Sequence, residues 1–177
     1  MSNKVIRITS EIFPDVCLRS INEGDLENLR LWKNKNTSSF FYQEEITEIQ
    51  QKKWFEGFLG RDNDYMFMFE EYIGSGCESL GCLGFRLIDN VVDIYNVIRG
   101  NKTGESKGKI KDALKMMCCY IKMNYDYKIT CKVIRSNPAV EWYKKNGFEI
   151  ISDNGTYYDL QLKDGFFEEC DIQYEIT

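Results

Sequence analysis

NPAVEWYKKNGF, at residues 137–148, carries signals for both ends of a short helix. Pro138 suits a first helical position, and Gly147 suits a left-handed residue just beyond the last turn. Residues 128–134 alternate polar and apolar side chains as strands do, and residues 148–151 start another strand. The stretch therefore predicts a helix between two strands, with four side chains facing inward: Ala139, Trp142, Tyr143 and Phe148.

The same twelve residues resemble a motif of the GCN5-related N-acetyltransferase (GNAT) superfamily, a strand followed by Asn-x-x-Ala-x-x-x-Tyr-x-x-x-Gly-Phe. The residues assigned to it are Asn137, Ala139 or Val140, Tyr143, Gly147 and Phe148, with Asn137 six residues before the tyrosine where the motif has seven. The resemblance implies that Asn137 binds the pantetheine or phosphate part of acetyl-coenzyme A and that the Tyr143 hydroxyl protonates the departing thiolate. A phenol with a pKa of about 10 can donate to a thiolate with a pKa of about 8.5. The alternative is that Tyr143 and Phe148 are simply core aromatics.

The length of 177 residues suits one domain, expected to span residues 1–177. The formal net charge of −5 and the pI near 5.0 argue against a general nucleic-acid or membrane-surface binder, because such proteins depend on a basic face. No apolar run approaches the roughly 20 residues that span a bilayer. We therefore expect neither a nucleic acid nor a membrane as a partner.

The chain has no histidine, which excludes Ser-His, Cys-His and His-metal mechanisms. It also lacks a Cys-x-x-Cys pair, so we expect no metal, and acid–base chemistry falls to carboxylate, tyrosine, lysine or water. The seven cysteines are odd in number and scattered, and the adjacent pair Cys118 and Cys119 is not a disulfide-type spacing. A reducing, cytoplasmic environment fits this usage better.

The predicted elements follow the order strand, two helices, three strands, helix, strand, helix and two strands. A capping box at Thr47 starts the second helix, and the longest periodic helix follows residue 103. The first ten residues fit either an edge strand or a loose segment. This order resembles the mixed α/β (α+β) sandwich of the GNAT fold, with about seven strands and about four helices. The resemblance implies a V-shaped cleft where the fourth and fifth strands, at residues 91–98 and 128–134, splay apart.

The resemblance also implies that the loop before the long helix holds coenzyme A. A helix start attracts phosphate through its free N–H groups and its dipole, and lysines add charge. The family's loop reads Arg/Gln-x-x-Gly-x-Gly/Ala, whereas the glycines of this chain are more widely spaced. The implied cofactor-binding residues are Val97, Ile98, Arg99, Lys102, Gly104, Lys107, Gly108, Lys109, Asn137 and Tyr143. For the lysines, the alternative is a solvated basic helix start.

Asp93 alternates with Val92 and Ile94 on the fourth predicted strand, where some members of the family carry a glutamate base. The acceptor amine must be neutral to attack a thioester, so a carboxylate here could take its proton directly or through water. The alternative is a carboxylate that faces solvent or makes a structural hydrogen bond. A backbone amide within the range from Tyr95 to Val97 is expected to hold the acetyl carbonyl.

Residues 25–34 read DLENLRLWKN and are followed by Phe41-Tyr42, Ile46-Thr47 and Trp54-Phe55. Together they resemble the Trp-Arg-Asn pattern of acetyltransferases that act on nucleotide-linked amino sugars in bacterial surface glycan synthesis, with Lys33 where those enzymes usually have arginine. Aromatic faces suit sugar and base rings, and an amide can both donate and accept hydrogen bonds. The implied substrate-binding residues are Trp32, Asn34, Phe41, Tyr42 and Tyr95. An equally coherent alternative has Trp32 and Trp54 anchoring two helices to the sheet and Asn34 capping a helix.

We therefore expect acetyl transfer from acetyl-coenzyme A to a small-molecule primary amine, with a nucleotide-linked amino sugar as the first choice. Acetylation of a protein N-terminus or a ribosomal protein is the second, since the negative net charge favours a cationic acceptor. A GNAT-like domain that binds coenzyme A or a partner without turnover is the third, and other small amines stay open. The resemblance also allows a homodimer.

Overall fold

The computed structural model describes residues 4–100 and 108–177. Within these ranges lie nine strands: β1 (Ile6–Ser10), β2 (Val16–Ser20), β3 (Asp64–Ile73), β4 (Gly76–Ile88), β5 (Val91–Arg99), β6 (Lys128–Ile134), β7 (Phe148–Asp153), β8 (Tyr157–Leu162) and β9 (Ile172–Ile176). The same ranges contain four helices: α1 (Leu26–Asn34), α2 (Glu48–Leu59), α3 (Lys109–Asn124) and α4 (Ala139–Lys145). No helix in the described part of the chain is long and apolar enough to cross a membrane.

The described strands form one sheet in the order β7-β8-β6-β5-β4-β3-β2-β1-β9. β5 and β6 run parallel, whereas the other neighbouring pairs in the described chain are antiparallel. Parallel neighbours need a crossover connection, and α3 belongs to the one between β5 and β6. The chain therefore leaves the middle of the sheet at the end of β5 and returns beside it in β6.

Local sequence sets the ends of the helices as predicted. The Thr47 side chain accepts a hydrogen bond from the Gln50 N–H, and the Gln50 side chain accepts one from the Thr47 N–H, which starts α2. α4 follows Pro138, whose φ of −61° is already helical, and ends just before Gly147, whose φ is +91°. This left-handed glycine lets the chain turn into β7 at Phe148. The predicted short helix between two strands is confirmed.

The sheet separates two apolar cores. One lies beneath α3 and α4 and contains Phe67 and Leu114, neither of which is exposed. The other lies beneath α1 and α2 and contains Trp32 together with Met66 and Met68 of the sheet. Successive residues of β3 thus point to opposite cores, as the period of a strand requires. Helices on both faces leave the middle strands buried.

The sheet has nine described strands where about seven were predicted. The two additional strands, β1 and β9, pair with each other at one edge, with Ile6 opposite Ile176 and Ser10 opposite Ile172. β1 falls in the first ten residues, for which an edge strand was one of two expectations. β9 is short and half exposed, so its alternation was too weak to predict, and its strand form depends on the partner that it finds in β1.

The structure pairs Cys119 of α3 with Cys170, which precedes β9, as a disulfide with a Cα–Cα distance of 5.4 Å. The remaining five cysteines are free. This pairing differs from the expectation of unpaired cysteines. The reason is that the fold brings together two residues 51 positions apart, and cysteine spacing carries no trace of such a contact.

Candidate active site

β5 changes its pairing halfway along its length. It pairs with β6 from Val91 to Ile94, and the described pairing ends there. Asn96 has a φ of +51° and lies in a bulge where β5 has an extra residue opposite β4. The bulge and the end of the pairing let the two strands diverge. The predicted splay between these strands, the fourth and fifth of the predicted order, is confirmed.

A cleft of about 550 Å³ occupies this opening, a size suited to a small-molecule ligand. One wall is formed by the end of α1 and the loop that follows it. The others are formed by β4, β5 and β6 of the sheet and by α4 together with Asn137, which precedes it. The lining residues are Lys33, Asn36, Ser39, Phe40, Phe41, Tyr42, Arg86, Asp93, Ile94, Tyr95, Asn96, Val97, Ile98, Arg99, Lys132, Val133, Asn137, Ala139 and Tyr143. Asp93 and Tyr143, the two predicted catalytic residues, therefore border the same cleft.

Tyr143 of α4 is only 7% exposed. Its ring packs edge-on against Trp142 and Phe148, with centroid distances of 5.0 and 5.3 Å. Burial raises the pKa of its hydroxyl well above the usual value, so the phenol is protonated around neutral pH. The residue is thus a core aromatic and a cleft-lining group at once, and its protonated hydroxyl has the form that a proton donor needs.

Asp93 of β5 is half-buried and lies opposite Arg86 of β4. Its neighbours Val92 and Ile94 are buried in the core beneath α3 and α4, so the Asp93 side chain points to the other face of the sheet and borders the cleft. Burial raises the pKa of this carboxyl, while the positive charges of Arg86 and Lys132 oppose the rise. A carboxylate in these surroundings can accept a proton from a bound ammonium group.

A row of charged residues extends from Asp93 across the sheet. Asp64 of β3 lies opposite Arg86, which in turn lies opposite Asp93. The Asp64 side chain is 1% exposed, and its Oδ2 lies 3.1 Å from Arg61 Nη1 and 3.5 Å from Arg86 Nε. Tyr95 donates its hydroxyl hydrogen to Asp64 Oδ1, and the Arg86 guanidinium stacks 3.7 Å above the centre of the Tyr95 ring. Tyr95 was predicted to bind the acceptor, and it lines the cleft. Its hydroxyl, however, is already hydrogen-bonded to Asp64.

Lys33 extends from the end of α1 to the bulge of β5. Its Nζ donates a hydrogen bond to Asn96 Oδ1 at 3.1 Å and lies 5.0 Å from the centre of the Phe40 ring. Burial lowers the pKa of this ammonium group. This hydrogen bond connects α1 to Asn96, which lies just beyond the point where β5 stops pairing with β6.

The predicted cofactor-binding residues divide into three sets. Those that border the cleft are Val97, Ile98, Arg99, Asn137 and Tyr143. Asn137 also caps α4, because its Oδ1 accepts a hydrogen bond from the Ala139 N–H at 2.9 Å. Gly108, with a φ of +88°, and Lys109, which forms an ion pair with Glu71, lie at the start of α3, and neither is among the described residues that line the cleft. Those outside the described residues are Lys102, Gly104 and Lys107.

The predicted acceptor-binding residues near α1 divide into two pairs. Phe41 and Tyr42 line the cleft and are about half exposed. Trp32 is buried in the core beneath α1 and α2. The Asn34 side chain donates to the Ile46 carbonyl at 2.9 Å and accepts from the Ile46 N–H at 2.8 Å, which fastens the loop before α2. The structure thus gives Trp32 the anchoring position that was its alternative, whereas Asn34 fastens a loop and is not the helix cap that was its alternative. Neither residue is in the described cleft lining.

Arg86 and Asn96 were missed by the sequence analysis, although the sequence holds a signal for each. Asp89 and Asn90 have φ values of 50° and 63° and form a two-residue turn between β4 and β5. Counting back from that turn places Arg86 opposite Asp93. Asparagine within an apolar strand is a residue type that tolerates the left-handed backbone of a bulge.

No family model and no curated protein matches the sequence. Solved structures do resemble the fold. FdhC, a nucleotide-linked sugar GNAT in its apo form, aligns with a TM-score of 0.69 and 14% identity over 87% of this chain and 89% of its own. The Campylobacter jejuni N-acetyltransferase PseH aligns with a TM-score of 0.64 and 16% identity over 86% of this chain and 100% of its own.

A spermidine N-acetyltransferase from Vibrio cholerae, in complex with CoA and spermine, aligns with a TM-score of 0.64 and 18% identity. The match covers 92% of this chain and 95% of that one. At such identities the likeness concerns the fold alone. The splayed strands, the bulge and these neighbours agree, and the chain has the GCN5-related N-acetyltransferase fold that its sequence predicted.

Proposed function

We propose that the chain is an N-acetyltransferase that moves the acetyl group of acetyl-coenzyme A to the primary amine of a nucleotide-linked amino sugar. The observation that carries the proposal is that Asp93 and Tyr143 border one cleft at the point where β5 and β6 diverge. A carboxylate that can accept a proton and a phenol that can donate one are the two groups that acyl transfer to an amine requires.

The proton steps follow from these two residues. Asp93 takes a proton from the acceptor ammonium, directly or through water, and the neutral nitrogen attacks the acetyl carbonyl carbon. The carbon–sulfur bond then breaks, and the coenzyme A thiolate takes the hydroxyl hydrogen of Tyr143. The nitrogen, now part of an amide, gives up its second proton, which restores the phenol.

Cofactor binding is supported by the second half of β5. Beyond Ile94 its edge has no described partner on the β6 side, so N–H and C=O groups there can bind an extended, amide-containing ligand as a neighbouring strand would. Arg99 and Asn137 border the cleft beside this edge. The Vibrio cholerae structure with the same fold contains CoA.

The charge of the cleft supports an acceptor with an anionic group. Among the described residues, one carboxylate, Asp93, and four basic side chains line it: Lys33, Arg86, Arg99 and Lys132. Lys132 is paired with Asp159, so the excess positive charge of the lining rests on Lys33, Arg86 and Arg99. This excess favours the diphosphate of a nucleotide sugar and disfavours a polyamine, although the net charge of the whole chain points the other way. The exposed faces of Phe41 and Tyr42 suit sugar or base rings.

The experiment is a panel of acceptors offered with acetyl-coenzyme A, with release of the free thiol as the readout. The panel contains a UDP-linked amino sugar, the same amino sugar without the nucleotide, a peptide with a free N-terminus, and spermidine. We expect kcat/KM to be at least about 10-fold higher for the UDP-linked sugar than for the other three, because only this acceptor offers a diphosphate to the basic lining. We also expect acetyl-coenzyme A to raise the melting temperature.

The outcomes separate the parts of the proposal. Efficient acetylation of peptide or spermidine without any acetylation of the UDP-linked sugar would contradict the acceptor and leave the acetyltransferase standing. Thermal stabilisation by acetyl-coenzyme A without turnover of any acceptor would favour a non-catalytic coenzyme A-binding domain. No stabilisation at ligand concentrations far above micromolar would contradict the whole proposal.

A further inference from the structure

The row of charged residues beside the cleft supports an inference about the base, which rests on the proposed function. Asp64, Arg86 and Asp93 are register partners across β3, β4 and β5. Directly opposite residues share one face of the sheet, with neighbouring Cβ atoms about 5 Å apart. We propose that Arg86 is a positioning residue that keeps Asp93 ionised and ready to accept the proton of the acceptor amine, and that Asp64 and Tyr95 hold Arg86 in place for this role.

Arg86 is held from two sides. Its guanidinium stacks on the Tyr95 ring at 3.7 Å, and its Nε faces the buried Asp64 Oδ2 at 3.5 Å. The Tyr95 hydroxyl donates to the other oxygen of Asp64, so the ring and the carboxylate are themselves fixed to each other. A side chain constrained in this way keeps its charge at one place beside Asp93 at little further cost in side-chain entropy.

The charge of Arg86 is only partly used by Asp64. Arg61 Nη1 lies 3.1 Å from Asp64 Oδ2, closer than Arg86 Nε, and the buried Arg86 Nε makes no hydrogen bond. Two guanidinium groups thus share one carboxylate. The two guanidinium groups carry one more positive charge than Asp64 neutralises, and Arg86 is the one of them that lies opposite Asp93.

The other groups around Asp93 do not replace this charge. Besides Arg86 of β4, the titratable groups within the described residues that interact electrostatically with Asp93 are Lys132, Cys131, Asp159 and Tyr143. Lys132 Nζ lies 2.6 Å from Asp159 Oδ1, so these two charges largely cancel. Cys131 and Tyr143 are neutral because burial raises the pKa of each. Among the described residues, Arg86 is therefore the main cation that favours the charged form of the half-buried Asp93.

Arg86 also lies away from the region proposed for the cofactor. Asp93 and Arg86 are in the part of the sheet where β5 still pairs with β6, ahead of the bulge at Asn96. Arg99 is six residues farther along β5, about 20 Å at the usual strand rise. Removing the charge of Arg86 should therefore change the base and leave acetyl-coenzyme A binding intact.

A titration of the free protein tests the proposal without turnover. The carbon-13 signal of the Asp93 carboxyl is followed against pH in the wild type, in Arg86→Gln and in Arg61→Gln. Arg61→Gln is the matched control, because it removes the other guanidinium of Asp64 and is not in the described cleft lining. We expect the midpoint to rise by about one pH unit in Arg86→Gln and to stay in place in Arg61→Gln. Arg86→Lys, which keeps a cation, should remain near the wild type.

The same variants give a kinetic readout. In Arg86→Gln the acidic limb of the kcat/KM profile should move to higher pH by the same amount, and the height of the alkaline plateau separately measures any loss of acceptor binding with this basic side chain. The KM for acetyl-coenzyme A should not change. If Arg86→Gln does not fold, Arg86→Met keeps the aliphatic stem over the Tyr95 ring and removes the charge.

An unmoved Asp93 midpoint in both charge-removing variants would overturn the proposal, and so would an equal shift in Arg61→Gln, because the effect would then come from disturbing Asp64. A lower plateau with an unmoved acidic limb would also overturn it and reduce Arg86 to a structural residue. If the wild type acetylates no amine, the proposed function fails, yet the carbon-13 midpoints still decide whether Arg86 controls Asp93.

Discussion

Replacing Tyr143 by phenylalanine is the sharpest test of the proposed chemistry, because the ring and the hydroxyl have separate tasks. The ring packs against Trp142 and Phe148 and is 7% exposed, and phenylalanine keeps those contacts. The free energy of unfolding should therefore change by less than about 1 kcal/mol. Loss of the proton donor should lower kcat by about 10²–10⁴-fold, which corresponds to roughly 3–5 kcal/mol in the barrier.

The pH dependence of this defect has a definite sign. Burial raises the pKa of Tyr143 above about 10, so the hydroxyl is protonated below that pH and the donor is lost only as pH rises through its raised pKa. The ratio of wild-type to Tyr143→Phe turnover should thus be constant between about pH 6 and pH 9. The unfolding free energy should show no pH dependence from this residue in the same range.

The assay is thiol release under saturating acetyl-coenzyme A, with cofactor affinity measured separately by calorimetry. The matched control is Tyr120→Phe. Tyr120 is a second buried tyrosine, 3% exposed and edge-on to Tyr174, and it is not in the described cleft lining. We expect Tyr120→Phe to keep wild-type kcat and Tyr143→Phe to keep wild-type affinity for the cofactor. Wild-type kcat in Tyr143→Phe would refute the reasoning and leave Tyr143 as a core aromatic alone.

The base, a tightly packed glycine and the disulfide each give a further prediction. Asp93→Asn should depress kcat/KM mainly at lower pH, because fewer acceptor amines are neutral there, and a pH–rate profile measures it. Gly100→Ala should lower the free energy of unfolding by about 1–3 kcal/mol in urea, because the added methyl would overlap the buried Trp32 ring. Reduction of the Cys119–Cys170 disulfide should lower the free energy of unfolding by up to about 4 kcal/mol, because the bond joins residues 51 positions apart. Urea denaturation with and without dithiothreitol measures this loss.

Each of these three has a matched control. Asp62→Asn changes an exposed carboxylate and should leave the pH–rate profile intact. Gly76→Ala adds a methyl whose nearest neighbour is 3.9 Å away, so it should be nearly neutral. Cys77→Ser changes an exposed free cysteine and should not alter the effect of the reductant. If a control variant behaves like its test variant, the physical reason given for that prediction is wrong.

Residues 128–151 show how far the sequence alone could be read. Pro138 and Gly147 act within their own few residues, by a preset φ and by tolerance of positive φ, so the helix and its two ends follow from local chemistry. The same holds for the capping box at Thr47. These signals predicted the order of the elements and, through the family resemblance, the fold, with Asp93 and Tyr143 as candidates for the site.

Alternation in a strand reports which residues share a face, but it does not report which distant strand becomes the neighbour. For that reason β9 was not predicted, and neither was the Cys119–Cys170 pair. The position of Trp32 also depended on contacts between residues distant in the sequence. Its aromatic ring fits a core or a sugar equally well, and only the packing of α1 on the sheet decided between them.

The electrostatics of the site depended most on tertiary structure. Asp64 lies 22 positions before Arg86 and 29 before Asp93, and the register of β3, β4 and β5 places the three side by side. The sequence by itself determined that all three are charged and that Arg86 and Asp93 lie in strands, whereas the structure adds Asp64 to the start of β3. Which charge lies beside Asp93, and how deeply the carboxylate is buried, was decided by non-local strand pairing, because burial and charge separation are properties of the assembled sheet and set the pKa of Asp93.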